Sequence, residues 1–578
     1  MQPVDFTALT AACAELRSRW LPARVEQVYQ RDRYTLALGL RTLEQRGWLA
    51  ISWHPEAARL CIGNPPPKAP DTFTFSDQLR HQLNGYALIA IDAIAPWERV
   101  VDLQFAQRPS DPPIWHLYVE IMGKYSNVIL TDAKQQIVTV AHQVTGAQSS
   151  VRTVETGQPY AFPPALTGTL PSLQESQQRW REGVSLIPGA IQRQLLKSYR
   201  GLSPAVARSL LWAAHLDPQQ PTDSLSDTDW QNLFACWQSW LNRLESQNFE
   251  PGWTAEGYTV LGWGTIQRAP SVQELLNRYY SDQLNHQNFG QLRHQLLQKL
   301  NSLLGKLRQK AETFQQRLQQ SDAADESRQK ADLLMAHLHQ WQPGMQLIAL
   351  PDFETGALLE IPLNPEKNAV QNAQTLYKIH QKLKRARSAV EPLLQDVLSE
   401  IAYLEQVAAS LSQLERYHTP EDLQTLEEIG EELIQQKYLE AKPQVSRHTT
   451  DTSQPYRYPT PSGFEVWIGR NNRQNDQLTF RTAGDYDLWF HSQESAGSHV
   501  LLRLPPGSVA DDADLQCAAD WAAYYSQARG SEQIPVIYTE PKYVYKPKGA
   551  KPGMVVYKQE RVLWGKPKQV ESYLINQE

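Results

Sequence analysis

Apolar and polar positions alternate in short segments through the first part of the chain. A helical pattern from Phe6 to Arg19 precedes alternating stretches at Tyr34–Leu40, Trp48–Trp53 and Arg99–Phe105, and Ile114–Leu130 reads as strand on both sides of Gly123. Period-two runs divided by turn residues predict hairpins, so residues 1–172 are expected to form an α+β domain. From Arg181 to Glu250 the period lengthens to that of helices, and residues 173–270 are expected to form a helical domain. Within it, Tyr199-Arg200-Gly201-Leu202-Ser203-Pro204 separates two apolar-faced helices, with Ser203 suited to cap the second and Pro204 to open it. A helix–hairpin–helix unit that sets its amides against phosphate fits these residues, and an ordinary αα-corner fits them equally.

Beyond Asn288 apolar residues step by three and four, at Leu296, Leu300, Leu303, Leu307 and Phe314, and again at Val390, Leu394, Val397, Ile401, Leu404, Ala408 and Leu411. These are coiled-coil seams. The intervening Trp341–Pro365 is rich in Pro and Gly and contains extended-looking Gln346–Leu350 and Leu358–Ile361, which lets the second helix return antiparallel to the first. The expected arm, residues 271–441, is an intramolecular hairpin whose helices of about fifty residues reach about 75 Å. A polar, Pro-dotted linker at 442–462 leads to a last α+β domain at 463–578. The fold class expected is therefore multi-domain α+β, without internal repeats.

Composition narrows the function classes. At 578 residues the chain exceeds a single core, and its ordinary 41% hydrophobic content with 17 Trp argues against long disorder. Cys13, Cys61, Cys236 and Cys517 show neither disulfide nor zinc spacing. Met1–Leu9 lacks a basic stretch followed by an apolar run, and the most apolar window, Tyr86–Trp97, is short and contains Asp92, so neither export nor a membrane span is expected. With a net charge of −6, contact with nucleic acid has to come from local basic surface.

That surface gathers late in the chain. Between Pro541 and Lys568, eight basic residues including Lys546, Lys548 and Lys551 face one acid, Glu560, and Tyr543, Tyr545 and Tyr557 interleave. Lysines among rings suit phosphate tracking and base stacking, whereas a solvated edge hairpin is the plainer account of the same run. Upstream, Gly469–Asp476 (GRNNRQND) packs amides and guanidiniums into one loop, ahead of Asp487–His491 (DLWFH) and Ala496–Val500 (AGSHV). His491 and His499 have no Cys or third His beside them, so no metal is expected, and they read as hydrogen-bonding groups of an RNA-facing surface or of a core. In the first domain, Trp97-Glu98-Arg99 and Glu120–Asn127 (EIMGKYSN) interrupt apolar strands with charged and amide groups around Gly123. A ligand approaching the backbone there would meet Lys124, Ser126 and Asn127, and a polar β-turn explains the same residues.

Taken together and in order, EIMGKYSN, Ile361-Pro362-Leu363 with Asn372-Ala373-Gln374, GRNNRQND, DLWFH, AGSHV and Lys546–Gly553 (KPKGAKPG) resemble the NFACT family across essentially the whole chain. The resemblance implies an NFACT-N domain similar to the DNA-glycosylase N-terminal fold, a helix–hairpin–helix domain, a coiled-coil arm and an NFACT-R domain. It also implies binding to the large ribosomal subunit that retains peptidyl-tRNA after a stall. Recruitment of alanyl-tRNA for mRNA-independent tailing is implied as well, with rRNA a further partner and no membrane contact. The family's Asp-Arg pair falls on Glu98-Arg99, with Glu for Asp, and its tRNA role carries over to these and to Glu120, Met122, Gly123, Lys124, Tyr125, Ser126 and Asn127. In the last domain the implied RNA contacts are Arg470, Asn471, Asn472, Asn475, Asp476, Trp489, His491, Ser498, His499, Lys546, Lys548 and Lys551. The AGSHV run replaces the family's Pro with Ala496, which is expected to alter only the turn. Base excision is set aside, because Met1-Gln2-Pro3-Val4 has no free Pro amine followed by Glu. No catalytic residue, cofactor or metal is expected, and the alternative function is a fibronectin-binding surface adhesin.

Overall fold

Asp5 starts the first helix, α1 (Phe6–Trp20), by accepting the Ala8 amide at 2.8 Å, and the helix buries Leu9, Ala12, Cys13 and Leu16. The computed structural model describes residues 1–66, 70–164, 168–440 and 452–575, without the side chains of 321–323 and 575. It divides into two units at His286/Gln287.

In the first unit, alternating runs form nine antiparallel strands: β1 (Ala23–Asp32), β2 (Thr35–Arg41), β3 (Arg46–Ser52), β4 (Arg59–Gly63), β5 (Ala87–Ala93), β6 (Val100–Ala106), β7 (Trp115–Glu120), β8 (Asn127–Asp132) and β9 (Ile137–Val140). Their order is β4-β3-β2-β1-β5-β6-β7-β8-β9, with α2 (Thr74–Leu83) packed on β1. Both faces are used. Leu36, Leu38, Leu49, Leu103 and Leu117 join α1 in the main core, while Val100, Tyr118, Ile129 and Tyr160 form a second cluster. The helical part follows as α3 (Gln177–Ser185), α4 (Ile191–Ser198), α5 (Pro204–Ala213) and α6 (Asp227–Ser246), around the fully buried Trp180, Trp230, Trp237 and Trp240. Ser203 caps α5 through the Val206 amide at 3.1 Å and Pro204 takes its first turn, the chemistry that the sequence predicts. A small sheet of β10 (Gly252–Thr254), β11 (Gly257–Thr259) and β12 (Gln267–Arg268) precedes α7 (Val272–Ala336).

In the second unit the body of α7 meets α8 (Ala369–Gln413) in antiparallel sense. Leu296, Leu300 and Leu304 pack with Val397, Ile401 and Leu404, and toward the other end Leu333 and Leu334 pack with Ala369 and Ala373. A hairpin of β13 (Leu347–Pro351) and β14 (Leu358–Pro362) connects the two helices where the extended pattern predicts strands. The buried Asn372 stitches the return: its Oδ1 accepts the Asn364 amide at 2.8 Å, and its Nδ2 donates to the carbonyls of Asn364, Lys367 and Asn368. The acidic α9 (Pro420–Gln435) follows.

Residues 442–451 of the expected linker lie outside the described residues. Its end differs from a linker, because Tyr456–Pro459 forms edge strand β15, with Tyr458 stacked at 3.8 Å on Trp521. Ring burial on one side of an alternating YRY run outweighs the flanking prolines, which suit an edge strand. The remaining strands are β16 (Glu465–Ile468), β17 (Leu488–Ser492), β18 (Val500–Arg503), β19 (Ile534–Thr539), β20 (Val544–Tyr545), β21 (Val556–Tyr557) and β22 (Arg561–Gly565). Five of them join β15 in a six-stranded antiparallel sheet, β15-β16-β18-β17-β19-β22. Helix α11 (Asp512–Tyr524) covers one face, with Trp521 against Phe490 and Val500, and the short α10 (Asn472–Gln477) and α12 (Gln569–Ile575) complete the domain.

Candidate nucleic-acid interface

Glu98 and Arg99 lie in the turn between β5 and β6, immediately after Trp97, which has a positive φ of 64°. The Trp97 ring sits 4.7 Å from Phe6 and 5.5 Å from Trp240, and a Cβ on Gly201 would come within 2.4 Å of it, so the α4–α5 turn requires glycine there. The Glu98 carboxylate pairs with the Arg200 guanidinium of that same turn, and both side chains are largely buried. Arg99 donates to the Val4 carbonyl at 3.4 Å and faces Asp5, whose carboxyl also takes the Ser203 hydroxyl and is raised above the ordinary range by burial. The pair therefore fastens the sheet to the α4–α5 turn.

The EIMGKYSN residues close the β7–β8 hairpin beside this turn. Val100 pairs with Glu120 across the sheet, and the Ile121 amide donates to the Arg99 carbonyl at 2.9 Å, so the fold brings the two candidate motifs together. Glu120 itself is buried. Arg152 grips its carboxylate at 2.6 and 3.1 Å and the Tyr160 hydroxyl donates at 2.8 Å, a phenol kept neutral far above its usual range by burial and then by that carboxylate. Ser126 Oγ accepts the Met122 amide at 2.8 Å, and Asn127 Nδ2 donates to the His142 carbonyl at 2.7 Å. Gly123, at φ 59°, opens a single 3-10 turn with Met122 half-buried before it. The structure thus places Glu120, Ser126 and Asn127 in the interior. Their polar atoms hold the hairpin, since burial obliges them to find internal partners. Lys124 and Tyr125 project instead, with Nζ 5.0 Å from the ring centroid.

In the last domain the same sorting recurs. Arg470 is buried, donates to Asp422 at 2.5 Å and lies 4.3 Å over the Tyr456 ring. Asn471 donates to Glu428 at 2.6 Å and caps α10, and Asn472 donates to Glu432 at 3.0 Å. Asn475 Oδ1 accepts the His499 amide at 3.1 Å. Asp476 accepts the Gly553 amide at 3.1 Å and pairs with Lys546, tying down the KPKGAKPG loop. Lys551 rests over Tyr403 and Tyr438, at 4.8 and 4.6 Å. Ser498 reaches Gln413 at 3.4 Å. A buried relay runs from Trp489 Nε1 to Thr479 Oγ1, at 3.0 Å, and on to His499 Nδ1, at 2.7 Å, with His491 stacked 5.7 Å from the Trp489 ring.

The side chains of Arg470, Asn471, Asn472, Asn475, Trp489, Ser498 and His499 are therefore buried and braced internally, while Lys546, Lys548 and the half-buried His491 lie nearer solvent. Reading the sequence alone missed the acids of α9 that receive the loop. The EEIGEEL run signals them only as a charged helix face. Also missed were Arg457, Trp467 and Arg503, whose spacing is that of ordinary strands.

Burial pushes His499 from 6.5 down to about 3 and His491 to about 4. Above pH 6.5 both are neutral whether folded or not; below it the unfolded chain takes up protons that the folded domain refuses, so their contribution is lost as pH falls toward 4. Urea unfolding of wild type and His499→Gln at pH 7.5, 6 and 5 is expected to show wild type losing stability more steeply. Parallel pH dependences would contradict this.

Among the described residues no group of three or more His, Cys, Asp or Glu could hold a metal ion, and no helix is long and apolar enough to cross a membrane. Comparison with known proteins identifies the layout. Residues 5–452 match the NFACT N-terminal and middle domains, and residues 454–559 match the NFACT protein RNA binding domain. The chain is 30% identical over 573 residues to the Rqc2 homolog RqcH of Bacillus subtilis, covering 96% of each. It is 32% identical over 569 residues to the Rqc2 homolog RqcH of Streptococcus suis, covering 95% of each. A solved C-terminal part of the fibronectin/fibrinogen-binding protein from Streptococcus suis aligns at 31% identity and TM-score 0.38, over 49% of this chain and 98% of that one. With two domain matches in tandem and relatives aligned nearly end to end, the chain belongs to the NFACT family, a multi-domain α+β protein of NFACT-N and NFACT-R domains.

Proposed function

We propose that this chain is a cytoplasmic factor of ribosome-associated quality control. It binds stalled large ribosomal subunits that carry peptidyl-tRNA and recruits alanyl-tRNA for mRNA-independent tailing of the nascent chain, which marks that chain for degradation. The observation that carries the reading is the end-to-end similarity to two proteins named as Rqc2 homologs, together with an RNA binding domain in the same chain. The division of labour follows the expected layout. NFACT-N at 1–172, similar to a glycosylase N-terminal fold, and a helix–hairpin–helix domain at 173–270 face tRNA through Lys124 and Tyr125, with Glu98 and Arg99 setting the surface behind them. A coiled-coil hairpin at 271–441 serves as the anchoring arm, and the NFACT-R domain, whose sheet begins with β15 inside the segment expected as linker, takes rRNA through Lys546 and Lys548. Peptide-bond chemistry stays with the ribosome, so the chain acts as a binding factor rather than an enzyme.

Sucrose gradients test this. The protein is expected to sediment with large subunits at low salt and to be released as salt rises, because each phosphate contact contributes about 0.7 to 0.9 to the slope of log K against log salt. Sequencing of the bound RNA is expected to return large-subunit rRNA and alanine-accepting tRNA. Protein that stays at the top of a low-salt gradient while stalled subunits are present would remove the ribosome from its function.

A further inference from the structure

The face of the six-stranded sheet turned away from α11 carries a cationic stack at its β15 edge. Val466 and Ile468 point into the core under α11, whereas Trp467, between them, packs with Trp489, Leu501 and Ile537 on the opposite face. Strand register places Arg457 beside Trp467 and Trp467 beside Leu501. The Arg457 guanidinium carbon lies 4.0 Å from the Trp467 ring centroid and that of Arg503 lies 4.7 Å from it. Two guanidiniums thus share one indole.

The surroundings hold this stack in place. Trp467 Nε1 donates to Glu465 Oε2 at 2.8 Å, which fixes the ring. Arg503 Nε sits 3.1 Å from the buried Asp487, a carboxylate already held by the amides of Gly484 and Leu504. Arg457 is exposed and, among the described residues, forms no ion pair. The neighbouring loop, whose Thr482 carbonyl accepts from Arg503 at 3.4 Å, presents exposed Phe480 and Tyr486.

A guanidinium stacked on an indole keeps its in-plane N–H donors for phosphate and its other face for a planar partner. Because the stack is already ordered, a ligand meets it with little side-chain entropy left to lose. An acidic peptide would satisfy the charge but leave the ring surface unused, whereas each unpaired nucleotide offers both a phosphate and a π-face.

We infer that Arg457, Trp467 and Arg503 form a second RNA-contact point of this domain, one that receives an unpaired nucleotide with its base on the Arg457 guanidinium and its phosphate on the adjacent N–H groups. It is built on β15, β16 and β18, none of which belongs to the lysine-rich run, and it rests on the reading that the domain binds RNA.

The test uses the full chain, a fluorescein-labelled single-stranded RNA of mixed sequence and purified large subunits. Arg457→Gln is expected to weaken binding to the RNA about five- to tenfold and to lower the salt slope by about one, while Arg457→Lys keeps the slope and loses part of the affinity. Ultraviolet crosslinking of thiouridine-substituted RNA, read by mass spectrometry, is expected to mark the peptide containing Trp467. Wild type that binds while R457Q binds equally well, with the same slope and no crosslink at that peptide, overturns this proposal alone and assigns the patch to a protein partner. Wild type that binds neither RNA nor subunits overturns the RNA reading as well. Since Arg457 is exposed, unchanged thermal unfolding of R457Q is expected and separates lost binding from lost fold.

Discussion

Reversing one charge of the Glu98–Arg200 pair, as Glu98→Arg, is expected to loosen the first unit by about 3 kcal/mol, and reversing both, as Glu98→Arg with Arg200→Glu, to recover at least half of that. The pair is largely buried, at 14% and 10% side-chain exposure, so a second arginine placed there meets a like charge with little solvent to screen it. Hydrogen exchange at the start of α5 should report the loosening, because Ser203 and Gly201 hang on the same turn as Arg200. The double variant separates two roles. If the turn's charge pattern selects tRNA, the swapped pair restores protection at α5 while the bound tRNA, sequenced after purification, stays depleted. Recovery of both together would make Glu98 and Arg99 positioning residues only, and selection would then rest with the exposed Lys124 and Tyr125. The extra methylene of Glu98 relative to aspartate bears on the first role, since it is this side chain that spans to Arg200.

Much of the fold was legible because it rests on period and on turn chemistry. Strand alternation, the Ser203–Pro204 cap and the extended pairs at 346–350 and 358–361 are local signals, and the structure carries each of them. The antiparallel packing of α7 on α8 followed from apolar spacing together with the Pro- and Gly-rich break at 341–365. The site was legible in its motifs but not in its side chains. A sequence shows that Arg470, Asn471 and Asn472 are polar, and polar groups near Lys and Tyr suggest a surface. It does not show that α9 arrives with Asp422, Glu428 and Glu432 to receive them. Burial with a partner and exposure to a ligand select the same residue types, and only tertiary contacts distinguish them. The Arg457–Trp467–Arg503 stack was hidden for the complementary reason, because its members come from three strands.

That distinction makes the Arg470–Asp422 contact the place where a single change should have its largest effect on the RNA-binding domain. With side-chain exposures of 6% and 8%, the pair is shielded, and Arg470→Met leaves the Asp422 carboxylate facing a thioether at an expected cost of about 3 to 5 kcal/mol. Asp422 keeps its bonds to the amides of His418 and Thr419, at 2.8 and 2.9 Å, so the start of α9 should survive while its hold on the GRNNRQND loop is lost. Amide exchange should therefore rise across Asn472–Gln477 more than across Pro420–Gln435. Adding Asp422→Asn to Arg470→Met removes the stranded charge and is expected to return about half of the lost stability, since a neutral amide can still accept the two cap bonds. RNA affinity should fall with the loop, because Asp476 in α10 carries Lys546 and the Gly553 amide, and a displaced α10 takes the basic loop with it. An Arg470→Met protein with unchanged exchange but weakened RNA binding would mean that Arg470 reaches RNA after all, through a rearrangement that releases it from Asp422.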